Sequence, residues 1–587
     1  MKQKFLIEAP YLTGQIYISV DTIDAALLSV ELGDDMSVFV GSSDCLISWT
    51  RACPSNTSQN DCAMVVRQMA ILHTNGALCY SKDRSCIINN MFILVNQRKH
   101  LLECFLLGNY IYQEECMASN IESTRSLKGS SLGFMEAIGQ SLANISPTLT
   151  PALNMGAVVA LAGQGTWLVY VVATIALIIV GLNMSTLASR FSAAGSFFVF
   201  ISRSLGPMMG GLTGWALILA YIGTAMALLA GLAIFINNML APFGVSISPI
   251  ISYVVFGFLA WYLAYRDVKL SSRISLIIEA ISVTVITILV FTVVGKHYSP
   301  SVVYAQAGIS EAPFKGMFEG VVLAIFSFVG FESSVTLGKE TRDPTKNIPR
   351  AVMGSMLFAG MFFTMMAIAM IIAYKGNAAG FGSDSAPLET LLNYLNLSKL
   401  SAPVYAIASL SLFACVLASI NAGSRLLFSM GRYQFVHRSM GLVHTKHQTP
   451  HMAVTISAVL AILGPVALLG QGAMNTYGIT GTIATFGFIF VYFLISVSAP
   501  IYLARRKSGS MISMSLGVAG AILMVAAFFG SVYPVPEYPF NLLPYIFLAY
   551  LLAGAAILIR LKMFSPSILD RVELDLEGSE GAIIGRK

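Results

Sequence analysis

From about residue 131 to residue 562 the chain alternates apolar runs of roughly 20 residues with short polar breaks. About 20 consecutive apolar residues are what an α-helix needs to cross the hydrocarbon core of a bilayer. A soluble domain carries about 25% charged residues; here only 11% are charged and 56% are hydrophobic, too few charges to solvate a surface in water. Bilayer is therefore the solvent, and in lipid these runs must be helices, because an open strand would leave its backbone polar groups unpaired. Spans are expected near 132–155, 166–188, 208–237, 248–265, 274–295, 316–338, 351–374, 403–428, 452–470, 476–503, 511–532 and 540–561. The expected fold is an all-α integral membrane domain of about twelve transmembrane helices.

Lys and Arg in short loops set orientation, with the cytoplasmic side carrying the excess. Alternate loops, Arg190–Arg203, Arg266–Arg273, Lys339–Arg350, Arg432–Lys446 and Arg505–Lys507, hold fifteen of them. The other loops hold only Lys296, Lys315, Lys375 and Lys399. Both termini of the membrane domain are therefore expected in the cytoplasm, with a tail at 563–587. The net charge of +6 is then a topology signal and does not point to nucleic acid.

Seven of the eight cysteines (Cys45, Cys53, Cys62, Cys79, Cys86, Cys104 and Cys116) precede residue 117, and only Cys415 lies among the apolar runs. Their gaps are irregular, without the paired spacing and matching histidines of a zinc module. No helical or alternating period in residues 1–116 survives more than a few residues. Met117 opens MASNIESTRSLKGSS, a polar tail of the kind that precedes a first membrane helix. The natural start is accordingly expected at Met117, with 117–130 as a cytoplasmic tail and 1–116 as an over-extended reading frame or a poorly ordered extension.

Two runs are interrupted. IGQSLANISPTLTPALNMG carries Ser146, Pro147, Thr148 and Pro151 inside the first span. Proline removes a backbone bond and clashes with the preceding turn, so the span either unwinds or bends in a simple proline kink. If it unwinds, Ser146 suits a cap and Pro147 a first helical position. The sixth span, GVVLAIFSFVGFESSVTLGKE, holds Ser327, Gly330 and Glu332 at its middle, where an unpartnered charge costs at least about 2.5 kcal/mol. Broken helices at corresponding positions of two halves point to a midplane substrate site in transporters built from inverted repeats. Half-helix N-termini there offer amides to an anion and C-termini offer carbonyls to a cation, which suits a zwitterionic amino acid.

FSFVGFESS followed by GKETRDPTKNIPRAV, and NAGSRLLFSMGR followed by HTKHQTPHMAV, resemble the amino acid–polyamine–organocation transporter superfamily over about residues 131–562. The resemblance implies a five-plus-five inverted repeat with two extra C-terminal helices, alternating access, and substrate held between the first and sixth helices. By position it puts Ile145, Ser146, Pro147 and Thr148 at the substrate carboxylate, and Phe326, Ser327, Val329 and Gly330 at the amino group and an aromatic gate. Tyr221 and Thr224 of LAYIGT fall near the same cavity. The first helix departs from the family's Gly-rich signature, so pocket shape and substrate can differ. Some proton-coupled relatives carry a lysine in the fifth helix; this span has none.

Glu279 is the ionisable group well inside that fifth span. It follows Arg273 by six residues, roughly 9 Å along a helix, and is read near the cytoplasmic interface, with a coupling role as the sharper alternative. Glu332 is either a proton carrier or a structural tether. Glu136 and Glu319 read as interfacial, and Arg425 as a cation at the cytoplasmic mouth that pairs with a lipid phosphate or a carboxylate, Glu340 or Asp343. His437, His444, His447 and His451 read as solvated loop histidines rather than a metal site. The sequence has no metal-spaced ligand set, nucleophile elbow or phosphate loop, so neither enzyme nor cofactor is expected. The expected function is secondary transport of an amino acid or related amine across the plasma membrane, by proton symport or exchange, the alternative being a membrane sensor or scaffold that kept the fold. The presumed pocket has no fixed charge aimed at a side chain, which favours a neutral or apolar substrate.

Overall fold

In the computed structural model the chain divides into two units, Met1–Asn120 and Ile121–Lys587. The structure describes residues 132–564, apart from 191–196, 267, 298–313, 445 and 534, together with six short strands between residues 3 and 94. In the first unit β1 (Gln3–Ile7), β2 (Ile16–Val20), β3 (Leu27–Leu32) and β4 (Ser37–Gly41) pair antiparallel in sequential order, with Ile18 between Phe5 and Val30. A hairpin joins β5 (Ser85–Ile88) and β6 (Met91–Leu94). Runs such as IYISV and SVFVG are rich in the β-branched and aromatic residues that suit a pleated surface, yet each is too short to display a period. The cysteine side chains of this unit, the expected start at Met117, the tail at 117–130 and the chain beyond 564 lie outside the described residues.

The regular structure of the second unit is helical, apart from one isolated bridge between Leu132 and Thr341. Ten stretches among the described residues are long and apolar enough to cross a bilayer, and His451–Ala467 is a shorter apolar helix. The first stretch, Phe134–Ala188, contains several elements. Helix α1 (Phe134–Ile145) starts where the Gly133 N–H donates to Glu136 at 2.9 Å, and Glu136 also pairs with Arg273 at 3.2 Å. After the break come a π-helical turn (Thr150–Asn154), α2 (Met155–Ala162) and α3 (Thr166–Ala188). A short helix that the sequence reading missed, α4 (Phe197–Leu205), precedes α5 (Pro207–Leu240), because the run FFVFI is apolar but too short to cross.

The bundle continues with α6 (Pro249–Arg266), α7 (Val268–His297) and α8 (Phe314–Phe328), then α9 (Pro344–Ala373). Two short loop helices, α10 (Ala378–Gly382) and α11 (Pro387–Tyr394), lead into α12 (Ser401–Arg432). The chain ends in α13 (His451–Ala467), α14 (Ala473–Arg505), α15 (Met511–Val532) and α16 (Leu543–Phe564). Helices α5, α12 and α14 are apolar on most faces and form the centre, whereas α6, α15 and α16 turn Phe258, Phe529 and Tyr545 outward. Small residues let α5 and α14 approach: a Cβ on Gly487 would stand 2.9 Å from the Ala216 carbonyl. Close packing of this kind, rather than hydrophobic exclusion, holds helices together in lipid.

Candidate functional site

Both interruptions are present. The first helix stops at Ser146, whose backbone is left-handed (φ 47°) and whose N–H donates to the Leu142 carbonyl at 3.1 Å. The expectation that Ser146 caps the following half-helix is corrected. The left-handed turn points its hydroxyl at Ser411 on α12, 3.3 Å away, and the next turn begins at Leu149 without a side-chain cap.

At the second interruption α8 ends at Phe328, and Gly330 turns the chain with φ 107°. A Cβ there would lie 2.6 Å from the Asn144 carbonyl, so the two breaks touch at a point only glycine fits. A 3-10 helix, Ser333–Leu337, follows and lies along α1: Ser333 donates to the Gln140 carbonyl at 3.1 Å and the Ser334 N–H to Ser141 at 3.2 Å.

Between the breaks is a narrow cavity of about 20 Å³, room for roughly one or two waters in this conformation, so a substrate enters it only as the breaks part. Its wall is Asn144, Ile145, Leu149 and Asn154 from the first interrupted span, Thr224, Ala227 and Leu228 from α5, Phe326, Ser327 and Val329 from the second, and Cys415 and Tyr477. Among the described residues no charged side chain lines it. In its wall the Phe326 ring stands 6.4 Å from that of Tyr477 and packs onto Gly481. The Tyr477 hydroxyl donates to Asn154.

Of the residues singled out in the sequence, Ile145, Thr224, Phe326, Ser327 and Val329 line the cavity, while Ser146, Pro147, Thr148 and Gly330 are buried in the wall behind it. Tyr221 does not line it either; three residues before Thr224, it turns instead to Glu332. Glu332 is fully buried and is surrounded by donors. Its Oε1 accepts from Tyr221 at 3.1 Å, and its Oε2 accepts from Tyr492 at 2.6 Å and from the Gly330 N–H at 3.1 Å.

Glu279 is not at an interface. It is 1% exposed, because α7 begins at Val268 and the carboxylate stands eleven residues along it, about 16 Å, facing the bundle. Its Oε2 accepts from Ser411 at 2.7 Å, and Ser411 accepts from Thr148 at 2.8 Å, which joins the first break to the carboxylate through α12. Its Oε1 has no hydrogen-bond partner among the described residues.

Arg425 has one of the carboxylate partners expected for it. It is wholly buried, pairs with Glu340 through Nε at 2.6 Å and Nη2 at 3.3 Å, and donates to the Asn421 carbonyl at 3.0 Å. Glu340, not Asp343, is thus the partner. Asn421 in turn donates to Ser271 on α7 at 2.9 Å.

Past the C-terminal end of α9, Asp384 accepts from Tyr374, from Thr390 at 2.5 Å and from the Ala386 N–H at 2.8 Å, pinning α10 and α11. Burial, and then the Asp384 carboxylate, push the Tyr374 phenol well above its ordinary range.

The loop histidines are not all solvated as expected: His444, His447 and His451 are half-buried against Tyr265, because the loop folds onto the end of α6. Among the described residues no group of three His, Cys, Asp or Glu could hold a metal ion.

The sequence reading missed Asn144, Asn154, Tyr477, Tyr492, Ser411 and Cys415. A signal for two of them existed: Ser411, Cys415 and Ser419 recur every four residues, one face of a helix. That face docks the first break, with Cys415 donating to the Asn144 carbonyl at 3.1 Å and Ser419 to its side chain at 2.6 Å.

The sequence pattern of the family described as amino acid permease matches residues 137–564. A branched-chain amino acid permease of Lactococcus lactis is 28% identical over 376 residues, covering 59% of this chain and 76% of that protein. A low-affinity putrescine importer of Escherichia coli is 26% identical over 328 residues, covering 52% and 70%. A D-serine/D-alanine/glycine transporter of Escherichia coli is 24% identical over 380 residues, covering 62% and 79%.

Proposed function

The chain belongs to the amino acid permease family, and we propose from that premise that it moves a neutral amino acid across the plasma membrane by alternating access. It is a multi-pass membrane protein. Taking Phe134–Ala188 as two crossings and His451–Ala467 as one gives twelve passes, read as a five-plus-five inverted repeat with two further helices and both ends of the bundle's chain in the cytoplasm. The observation that carries the reading is the small, uncharged cavity where two interrupted helices meet.

Its chemistry suits an apolar zwitterion. The C-terminal ends of α1 and α8 bring partially negative carbonyls to one side for an ammonium, while the start of the turn at Leu149 brings amides for a carboxylate. Leu149, Ala227, Leu228 and Val329 supply an apolar wall for the side chain. A diamine needs a second anionic partner, and both buried carboxylates nearby, Glu279 and Glu332, lie outside the lining.

In the cycle, Phe326 and Tyr477 are the outer gate, and the Arg425–Glu340 pair is the inner lock. Glu332 tethers the second break by holding Gly330 to α5 and α14. Glu279 is the coupling group, since Ser411 makes it sensitive to the position of Thr148. Uptake of labelled neutral amino acids and putrescine into proteoliposomes tests the reading. Saturable uptake of an aliphatic amino acid, reduced at least tenfold by Ala227→Leu in a protein that stays monodisperse, is expected. Binding without uptake of any substrate refutes transport and leaves a sensor.

A further inference from the structure

The loop between α12 and α13 contains a device that the transport reading does not use. HTKHQTPH spaces three histidines so that, once the loop folds, their rings gather on Tyr265 at the end of α6, with centroids 5.4, 5.9 and 6.3 Å from its ring for His444, His447 and His451. His444 lies 4.8 Å from His447 and 5.6 Å from His451. We propose that this cluster is a pH-dependent latch which fastens the loop to α6 when neutral and releases it when protonated.

The fastening is a short chain of hydrogen bonds. Thr449 donates its hydroxyl to the Tyr265 carbonyl at 2.7 Å, one of the last carbonyls of α6, which a helix end leaves without an internal partner. Thr449 is held in turn by His444, whose N–H donates to the Thr449 carbonyl at 2.9 Å. The His444 ring fixes the intervening turn, because its Nδ1 accepts from the N–H groups of Lys446 and His447, each at 3.2 Å. An imidazole nitrogen accepts only through a free lone pair, so this arrangement requires Nδ1 to be unprotonated. A proton on it replaces the acceptor with a third donor and leaves both amides without their partner.

Charge acts in the same direction. Protonated His444 stands within 6 Å of two more imidazole rings. His451 is the first residue of α13, where the helix end is already partially positive, and its Nδ1 is buried without a partner among the described residues. The charged groups on the elements that meet here are Arg266 on α6, Arg438 in the turn after α12 and Lys446 in the loop, all cations; Asp267 lies outside the described residues. Released, all three rings reach water. Histidine changes charge between about pH 5 and 8, so acidification on this side of the membrane frees the loop that joins α12, which carries Arg425 and Cys415, to α13.

Hydrogen–deuterium exchange of the full chain in nanodiscs tests the latch, read on peptides spanning 442–451 and corrected for the intrinsic pH dependence of exchange. From about pH 8 to about pH 5.5, protection at Lys446 and His447 is expected to fall at least tenfold, a change worth about one net hydrogen bond. In His444→Asn a side-chain oxygen takes the place of Nδ1 at every pH, and protection should persist. Thr449→Val removes the attachment to Tyr265 and should give, at about pH 8, the exchange that the unaltered protein shows at about pH 5.5. Protection independent of pH in the unaltered protein, an Asn variant that loses it as the unaltered protein does, or a Val variant that keeps it overturns the proposal.

Discussion

Replacing Glu332 by Gln separates two roles for the carboxylate by magnitude. Tyr221, Tyr492 and the Gly330 N–H all donate to it, and the last two converge on Oε2. A glutamine therefore keeps its carbonyl oxygen toward Tyr492 and Gly330 and turns its amide toward Tyr221, whose hydroxyl can rotate to accept. No contact is lost outright, but two bonds to a charged acceptor become bonds to a neutral one. Bonds to charged groups contribute about 1.5–3 kcal/mol against about 0.5–1.5 for neutral pairs. A tethering carboxylate then loses about 2–3 kcal/mol, a large part of the roughly 5–15 kcal/mol that holds a typical protein folded. A group that carries a proton is nearly isosteric with glutamine and loses less than about 1 kcal/mol. The tether reading predicts a clear fall in apparent melting temperature, with net uptake and counterflow exchange lost together. Unchanged melting, with exchange retained and only pH-driven accumulation lost, would refute the tether and make Glu332 the proton carrier.

Four further substitutions test the rest of the site. Ser411→Ala cuts the link from Thr148 to Glu279 and should abolish pH-driven accumulation while leaving exchange in place; accumulation at the unaltered level removes Glu279 from coupling. Arg425→Met strands the buried Glu340 and should cost about 3–5 kcal/mol, whereas Arg425→Met combined with Glu340→Leu should regain most of that stability and leave the inner side open; calorimetry and alkylation of Cys415 read the two effects. Gly330→Ala combines backbone strain of about 1–3 kcal/mol with overpacking of about 1–3 kcal/mol against Asn144, so a variant with normal melting and uptake contradicts the contact between the breaks. Asp384→Asn weakens the bonds that pin the outer loop helices by about 1.5–3 kcal/mol, and faster amide exchange over residues 378–394 is the expected result.

The bundle was legible because lipid allows few solutions, and every expected span meets a helix. Both breaks were legible for a similar reason: Pro147 cannot continue α1, and a carboxylate at Glu332 has no place in an unbroken apolar helix. What the sequence could not convey was direction. Tyr221 and Thr224 are three residues apart on α5, and only packing decides that one turns to Glu332 and the other to the cavity. Glu279 was misplaced because its depth was counted from Arg273, whereas α7 starts at Val268 in a polar stretch that gives no sign of helix. Ser411 escaped notice because serine and cysteine sit comfortably in an apolar helix, and their role appears only when α1 and α7 are brought against α12. For Arg425 the sequence left Glu340 and Asp343 as equal candidates, and only the fold, which brings Glu340 from another segment, decides between them.

The central claim is that substrate occupies the cavity between the two breaks, and Cys415 offers a direct probe because its free thiol lines that cavity. The measurement is the rate of Cys415 alkylation by a membrane-permeant maleimide, resolved by peptide mass spectrometry, with and without a saturating amino acid that thermal shift shows to bind. The account predicts that this ligand slows Cys415 modification and that Ala227→Leu removes the protection. Equal rates with and without bound ligand would contradict it, since the substrate would then lie somewhere other than this cavity.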